Sequence, residues 1–286
     1  MNHNIDEQFE LLSHLLEEGS FGQHTNYSEQ AEQKDESARS SDDAAQKSPV
    51  HLERSSVIET RPDTGREQRK GTPEVIFGAT KETAQIESMA RALLTSTKRA
   101  IISRLRPESV EPLQEAFRDY TVRFHEASRA MVIYSPEYVR KSTGGYVGVI
   151  SAGTSDIPAA EEAALIAEEM GCRVTSIYDV GVAGLHRLLG PLRELIASDV
   201  DVIIVAAGMD GALPSVVTGL VPVPVIGLPT SIGYGLGGKG VAALLSMLQT
   251  CAPGLSVVNI DNGVGAGITA ALVANRVARA REHQSQ

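Results

Sequence analysis

From residue 146 onward the chain alternates between two hydrophobic rhythms. Short β-branched runs at 147–150, 174–177, 200–205, 223–228 and 255–260 each lead into a glycine-bearing loop, and the loops lead into stretches with apolar positions at helical spacing. Such runs are short, mostly apolar and rich in β-branched residues, as expected of parallel strands covered on both faces. Five of these units predict a flavodoxin-like, doubly wound parallel sheet with right-handed crossovers, not a barrel. Upstream, the pattern predicts a strand at 75–77 and a helix over 80–97 with Ile86, Met89, Ala90, Leu93 and Leu94 on one face. A strand at 100–103, a helix over 107–117 opened by Pro107, and strands at 121–125 and 130–134 complete a small α/β unit.

Three segments follow from this pattern. Residues 7–18 place Phe9, Leu11, Leu12, Leu15 and Leu16 at helical spacing, and 19–56 turn to Ser, Gln, Asp, Glu and His. A segment of that composition cannot bury enough apolar surface to offset ordering, so 1–56 is expected to be a short helix and a disordered acidic linker. Residues 57–143 form the small N-terminal α/β domain, and Ser142-Thr143-Gly144-Gly145 marks the passage to a catalytic domain over 144–286.

Charge sharpens the picture. Residues 1–60 hold 13 Asp/Glu against 4 Lys/Arg, while the remainder is close to neutral at 23 against 22. The net charge of −10 is therefore a property of the acidic segment, and the folded part has no nucleic-acid footprint. No apolar run approaches the ~18 residues of a membrane span. No leader pattern is read at the start. Two cysteines, Cys172 and Cys251, make no disulfide framework or metal-ligand spacing. A cytoplasmic chain is expected.

The chemistry concentrates in the loops after the five strands, where ligands of wound sheets bind. The loop 229–240 has five glycines between Gly233 and Gly240 and opens onto a helix, which suits close approach of backbone N–H groups to an anion. Candidate substrate contacts are Ser151, Gly153, Thr154, Ser155 and Asp156 after the first strand, and Gly208 and Met209 after the third. Thr230, Ser231, Gly233 and Lys239 follow the fourth strand, and Asn262 the fifth. Hydroxyls and amides suit phosphate, and carboxylates suit a metal, a ribose hydroxyl or proton transfer. None of these loops is a P-loop or a Rossmann fingerprint.

Several of these residues carry two readings. Asp156 heads a helix, as an N-cap, a ligand contact or both. Asp210 suits a turn or a base, His186 a surface position near a helix start or a catalytic role, and Lys239 solvent or an anion. Cys172 fits packing. Cys251 follows a helix, where the dipole disfavours a thiolate; by itself this describes a structural residue unless a neighbouring cation or a cationic substrate offsets it.

Taken together, Gly153-Thr154-Ser155-Asp156-Ile157-Pro158 and the run Gly208-Met209-Asp210-Gly211-Ala212-Leu213-Pro214 resemble the phosphoribosyl loop and core of the AIR carboxylase (PurE)-like family. Residues 179–187, the loop 229–240, Cys251-Ala252-Pro253-Gly254 and Asn259-Ile260-Asp261-Asn262-Gly263 resemble its LarB branch. So do Asp63, Arg66, Arg69, Gly71, Pro73, Glu74 and Lys81 in the N-terminal unit. The resemblance covers about residues 57–280 and leaves the acidic linker out.

The LarB branch acts in nickel-pincer nucleotide cofactor biosynthesis, so the resemblance implies carboxylation of nicotinic acid adenine dinucleotide at pyridinium C5 by carbon dioxide or bicarbonate. Cleavage of the phosphoanhydride would then release AMP. It implies Cys251 as nucleophile, Asp210 as base where the family usually carries Glu, and a catalytic His186. It further implies Mg²⁺ on the substrate diphosphate with Asp156 at that end, and a homo-octamer. The alternative is a phosphoribosyl-aminoimidazole carboxylase or mutase of purine biosynthesis that uses His186 and Asp156 without a thiol. A third reading is a nucleotide-sensing module that binds without chemistry.

Overall fold

A computed structural model describes Glu10 and residues 61–284. Apart from Glu10, the helix expected over 7–18 and the linker behind it lie outside the described residues. The N-terminal unit begins with α1 (Arg66–Lys70), β1 (Val75–Phe77), α2 (Thr83–Thr97) and β2 (Arg99–Ser103). It ends with α3 (Pro107–Ala116), β3 (Thr121–His125) and β4 (Ala130–Tyr134). Its four strands lie in the order β1-β2-β4-β3, the first pair parallel and the others antiparallel. The first long helix starts three residues later than its apolar pattern suggests. Residues Gly78–Thr80 form a 3₁₀ turn instead, and the Glu82 N–H donates to the Gln85 side chain to open the α-helix.

The second unit runs β5 (Tyr146–Ser151), α4 (Ile157–Glu169), β6 (Arg173–Ile177), α5 (His186–Ala197) and β7 (Val202–Ala207). It continues through α6 (Leu213–Leu220), β8 (Val225–Pro229), α7 (Val241–Leu248), β9 (Leu255–Val257) and α8 (Gly263–Gln284). All five strands are parallel, in the order β6-β5-β7-β8-β9, which is the flavodoxin-like doubly wound sheet. Two strands start later than their apolar runs. At β7 the Asp201 carboxylate accepts the Tyr146 N–H at 2.7 Å and pairs with Arg281. At β8, Pro222 and Pro224 lack the N–H groups that a ladder needs. No helix among the described residues is long and apolar enough to cross a membrane.

The two sheets share a layer of helices. On β2 and β4, Ala100, Ile102, Met131 and Ile133 face the cluster with α2 and α3. Their alternate neighbours Ile101, Ala130 and Val132 face a second cluster that includes α4, α8, β5 and β7. The third cluster packs α5, α6 and α7 on the far side of the parallel sheet. Alanines make the shared layer thin: Ala160, Ala163, Ala164 and Ala167 of α4 meet Ala266, Ala270, Ala271 and Ala274 of α8.

Polar contacts fix the angle between the units. Arg99 and Glu169, with side chains 2% and 1% exposed, pair at 3.0 Å. Arg99 also donates to Tyr138 at 2.8 Å, and Tyr134 donates to Glu169 at 2.7 Å. Removing one partner leaves the other charge buried. Arg99→Met is therefore expected to cost about 3–5 kcal/mol, seen as a lower urea midpoint in equilibrium unfolding. An unchanged midpoint would show that the pair is solvated in practice.

Candidate active site

Between β5 and β7 the winding reverses direction, and the loops at that edge part to leave a cleft of about 690 Å³. Its walls come from the loops after β5, β6, β7 and β8. The buried Asp156 carboxylate joins the first loop to the fourth: Oδ2 accepts the Gly153 N–H at 2.9 Å, and Oδ1 accepts the Thr230 hydroxyl at 2.6 Å. The Met209 N–H donates to the Ile232 carbonyl at 2.7 Å and so stitches the third loop to the fourth. Glycine is required at 208, where a methyl would overlap the Ile232 carbonyl and the Thr230 hydroxyl.

The charged side chains lining the cleft are carboxylates. Asp156, Asp179 and Asp210 line it, and no Lys, Arg or His is among its lining residues. Asp179 is paired with Arg187 at 2.8 Å, and Asp210 holds the Ala212 N–H loosely at 3.4 Å. Exposed Met209 and Tyr234 add apolar surface at the mouth. The expected metal site is not built as a cage. Both Asp156 oxygens are already hydrogen-bonded, and no group of three or more His, Cys, Asp or Glu side chains among the described residues could hold an ion.

A neighbouring chamber of about 240 Å³ shares Ser155 and Ile232 with the cleft and reaches across to Arg104, Ser128 and Arg129 of the N-terminal unit. There the Asp261 carboxylate accepts the Ser231 N–H at 2.8 Å. Glu162 of α4 binds Ser103 and Arg104, which closes the first unit onto the rim.

Residues 146–286 match the AIR carboxylase family, and residues 56–135 match the LarB/PurE-like N-terminal domain. The chain belongs to the LarB branch of the AIR carboxylase family. An uncharacterized protein of Methanocaldococcus jannaschii, MJ0165, is 42% identical over 217 residues, which is 74% of this LarB-type chain and 82% of that protein. An N5-carboxyaminoimidazole ribonucleotide mutase of the same organism is 37% identical over 43% of this chain and 74% of its own length. The mutase of Thermotoga maritima is 32% identical over 44% of this chain and 73% of its own length.

The LarB fold brings most of the candidate residues to one rim. Gly153, Thr154, Ser155, Asp156, Gly208, Met209, Asp210 and Gly233 line the cleft, while Thr230 and Ser231 line the adjoining chamber. Ser151 is buried beneath, its hydroxyl accepting the Asp179 N–H at 3.2 Å. Asn262 caps α8 through the Gly265 N–H at 2.9 Å and faces a separate cavity beside Arg104. His186, in the first turn of α5, and Lys239, in the glycine loop, are exposed and outside the residues lining the cleft. Arg104 and Arg129 have no counterpart in the sequence reading. Each reaches the rim through the packing of one sheet against the other, which no local spacing reveals.

Cys251 lies at the other edge of the sheet. Helix α7 carries the chain back from the rim, and the Val225 N–H, at the start of β8, donates to the Gly254 carbonyl at 3.1 Å. The rise of β8, about 13 Å over four residue steps, therefore separates that edge from Thr230. The two thiols differ in kind. Cys172 is buried, donates to the Asn275 side chain at 3.2 Å, and burial pushes its thiol up to about 11; Cys251 is exposed. Iodoacetamide at pH 8 is expected to alkylate Cys251 in the native protein and Cys172 only after unfolding, as read by peptide mass mapping. Modification of Cys172 in the folded protein would contradict this packing.

Proposed function

We propose that this protein carboxylates the pyridinium ring of nicotinic acid adenine dinucleotide at C5 and hydrolyses its phosphoanhydride. The products are pyridinium-3,5-biscarboxylic acid mononucleotide and AMP. The observation that carries the reading is the carboxylate-lined cleft of an AIR carboxylase core joined to a LarB-type N-terminal domain. The Asp210 carboxylate, which is neither ion-paired nor spent on the clasp, suits a cationic ring, while the Thr154 and Ser155 hydroxyls offer donors to its phosphoribosyl group. Tyr234 and Met209 offer surface for the ring face.

In this scheme the Cys251 thiolate adds to the ring, and the electron pair displaced onto the ring makes C5 an enamine β-carbon. C5 forms its bond to carbon dioxide. Asp210 then removes the C5 proton, the C–S pair returns to sulfur, and the ring regains aromaticity. Water cleaves the phosphoanhydride and AMP departs. Magnesium would travel on the substrate diphosphate, because the described residues supply no cage for it, and no step is assigned to it.

One chain does not bring Cys251 to its own cleft, so the thiol in this scheme comes from a second copy. Helix α7, one turn of chain from Cys251, shows Val241, Leu245 and Leu248 to solvent at 51%, 58% and 62% exposure. Leu236 and Tyr234 at the rim are also exposed. Exposed apolar side chains of this kind suit contact between copies and are consistent with a homo-octamer.

The distance of Cys251 from the cleft also favours a second reading, a thiol-free mutase or carboxylase like the ribonucleotide mutases named among the relatives. Incubation with the dinucleotide, bicarbonate and Mg²⁺ separates them. The dinucleotide reading predicts AMP and a carboxylated mononucleotide in equal amounts, with turnover reduced at least ~10³-fold by Cys251→Ser. Full activity in the serine variant on an aminoimidazole ribonucleotide, with no AMP from the dinucleotide, would establish the mutase reading instead.

A further inference from the structure

We infer that the cavity between β6 and α5 is a binding site for a free α-amino acid with a large apolar side chain, independent of the reaction proposed above. The cavity measures about 450 Å³ and shares no lining residue with the cleft. That size lies in the range of roughly 300–1,000 Å³ typical of small-molecule sites. Its floor is made by Tyr146 and Arg173, the first residues of β5 and β6, at the edge of the sheet away from the cleft. One wall is β6 itself, the outer strand of the parallel sheet. The other is a stripe of α5, with Pro191, Glu194 and Leu195 on one helix face.

Two opposite charges line this space and do not meet. The Arg173 guanidinium lies over the buried Tyr146 ring, 4.3 Å from its centroid. Among the described residues, neither Arg173 nor Glu194 has an ion-pair partner. Arg187 of the same helix, by contrast, finds Asp179 at 2.8 Å. Stacking covers one face of the guanidinium and leaves its N–H edge for a carboxylate, which a planar fork binds through two parallel hydrogen bonds. The Tyr146 hydroxyl donates to Thr175 Oγ1 at 2.9 Å, which leaves the Thr175 proton for the same carboxylate. Thr175 stands two residues along β6 from Arg173 and so shares its face of the strand. On the α5 wall, Glu194 supplies the acceptor for an ammonium group. Ile177, Pro191 and Leu195 make the rest of the lining apolar. A simple anion would leave Glu194 facing it unbalanced, and a simple amine would do the same to Arg173. A ligand that carries a carboxylate, an ammonium group and an apolar side chain satisfies all three parts.

The test is calorimetric titration of the full-length protein with L-phenylalanine and L-leucine. Two further probes, 3-phenylpropionate and phenethylamine, lack the ammonium and the carboxylate respectively. At least one amino acid should bind with a Kd below about 1 mM, and each truncated probe should bind about tenfold more weakly than phenylalanine. Arg173→Gln should weaken the amino acid by about tenfold or more without weakening phenethylamine. Glu194→Gln should weaken it by a similar factor without weakening 3-phenylpropionate. An unchanged unfolding midpoint in both variants shows that the fold is intact. Failure of both amino acids to bind the native protein overturns the site, as does binding indifferent to both substitutions. A changed oligomeric state in either variant, at unchanged amino-acid affinity, would make the cavity a contact between copies and overturns it as well.

Discussion

The Asp156 carboxylate is the one group on which the rim depends. It is buried at the head of α4, and its two oxygens hold the backbone of the loop it belongs to and the hydroxyl of Thr230 two strands away. Loops rich in glycine have little order of their own. A charged acceptor shared between them in a dry setting gives the cleft a fixed width, because hydrogen bonds to an ionised oxygen are stronger than neutral ones. The side chain makes no cap hydrogen bond to α4; both oxygens serve the clasp that shapes the site from below.

The same helix sets the second feature of the molecule. Asp156 heads α4, Glu162 lies on it, and Glu169 ends it; each fixes a different partner. Glu162 and Glu169 bind the N-terminal sheet through Arg104 and Arg99, and the alanine face between them allows α8 to approach closely. One helix therefore ties the cleft to the unit that distinguishes the LarB branch.

Much of this was legible in the sequence, and the exceptions have physical causes. β-branched apolar runs marked the three central strands β5, β7 and β8, which are buried along their whole length, and the less buried, more polar edge strands β6 and β9 followed from the regular spacing. Strand starts slipped where Pro222 and Pro224 lack the N–H a ladder needs and where the Asp201 side chain takes the Tyr146 N–H. The clustering of Gly153, Asp156, Gly208 and Asp210 followed from their places after strands. The edge occupied by Cys251 follows from the same rule: a residue between a helix and the next strand lies at the amino end of the sheet. Resemblance gave the thiol a role, and topology gave it a place apart from the cleft of its own chain. Arg104, Ser128 and Arg129 were hidden because they come to the rim only where the two sheets meet.

The central claim is that a cleft is completed by the thiol of another copy, and subunit complementation tests it most directly. Cys251→Ser chains and Asp156→Asn chains, each inactive alone, would be unfolded together, refolded as mixed oligomers and assayed for AMP release from the dinucleotide. The account predicts restored activity, because some clefts then combine an intact Asp156 with an intact Cys251 from the neighbour. If mixing restores nothing while the oligomers demonstrably contain both chains, the thiol does not act across copies and the account is wrong.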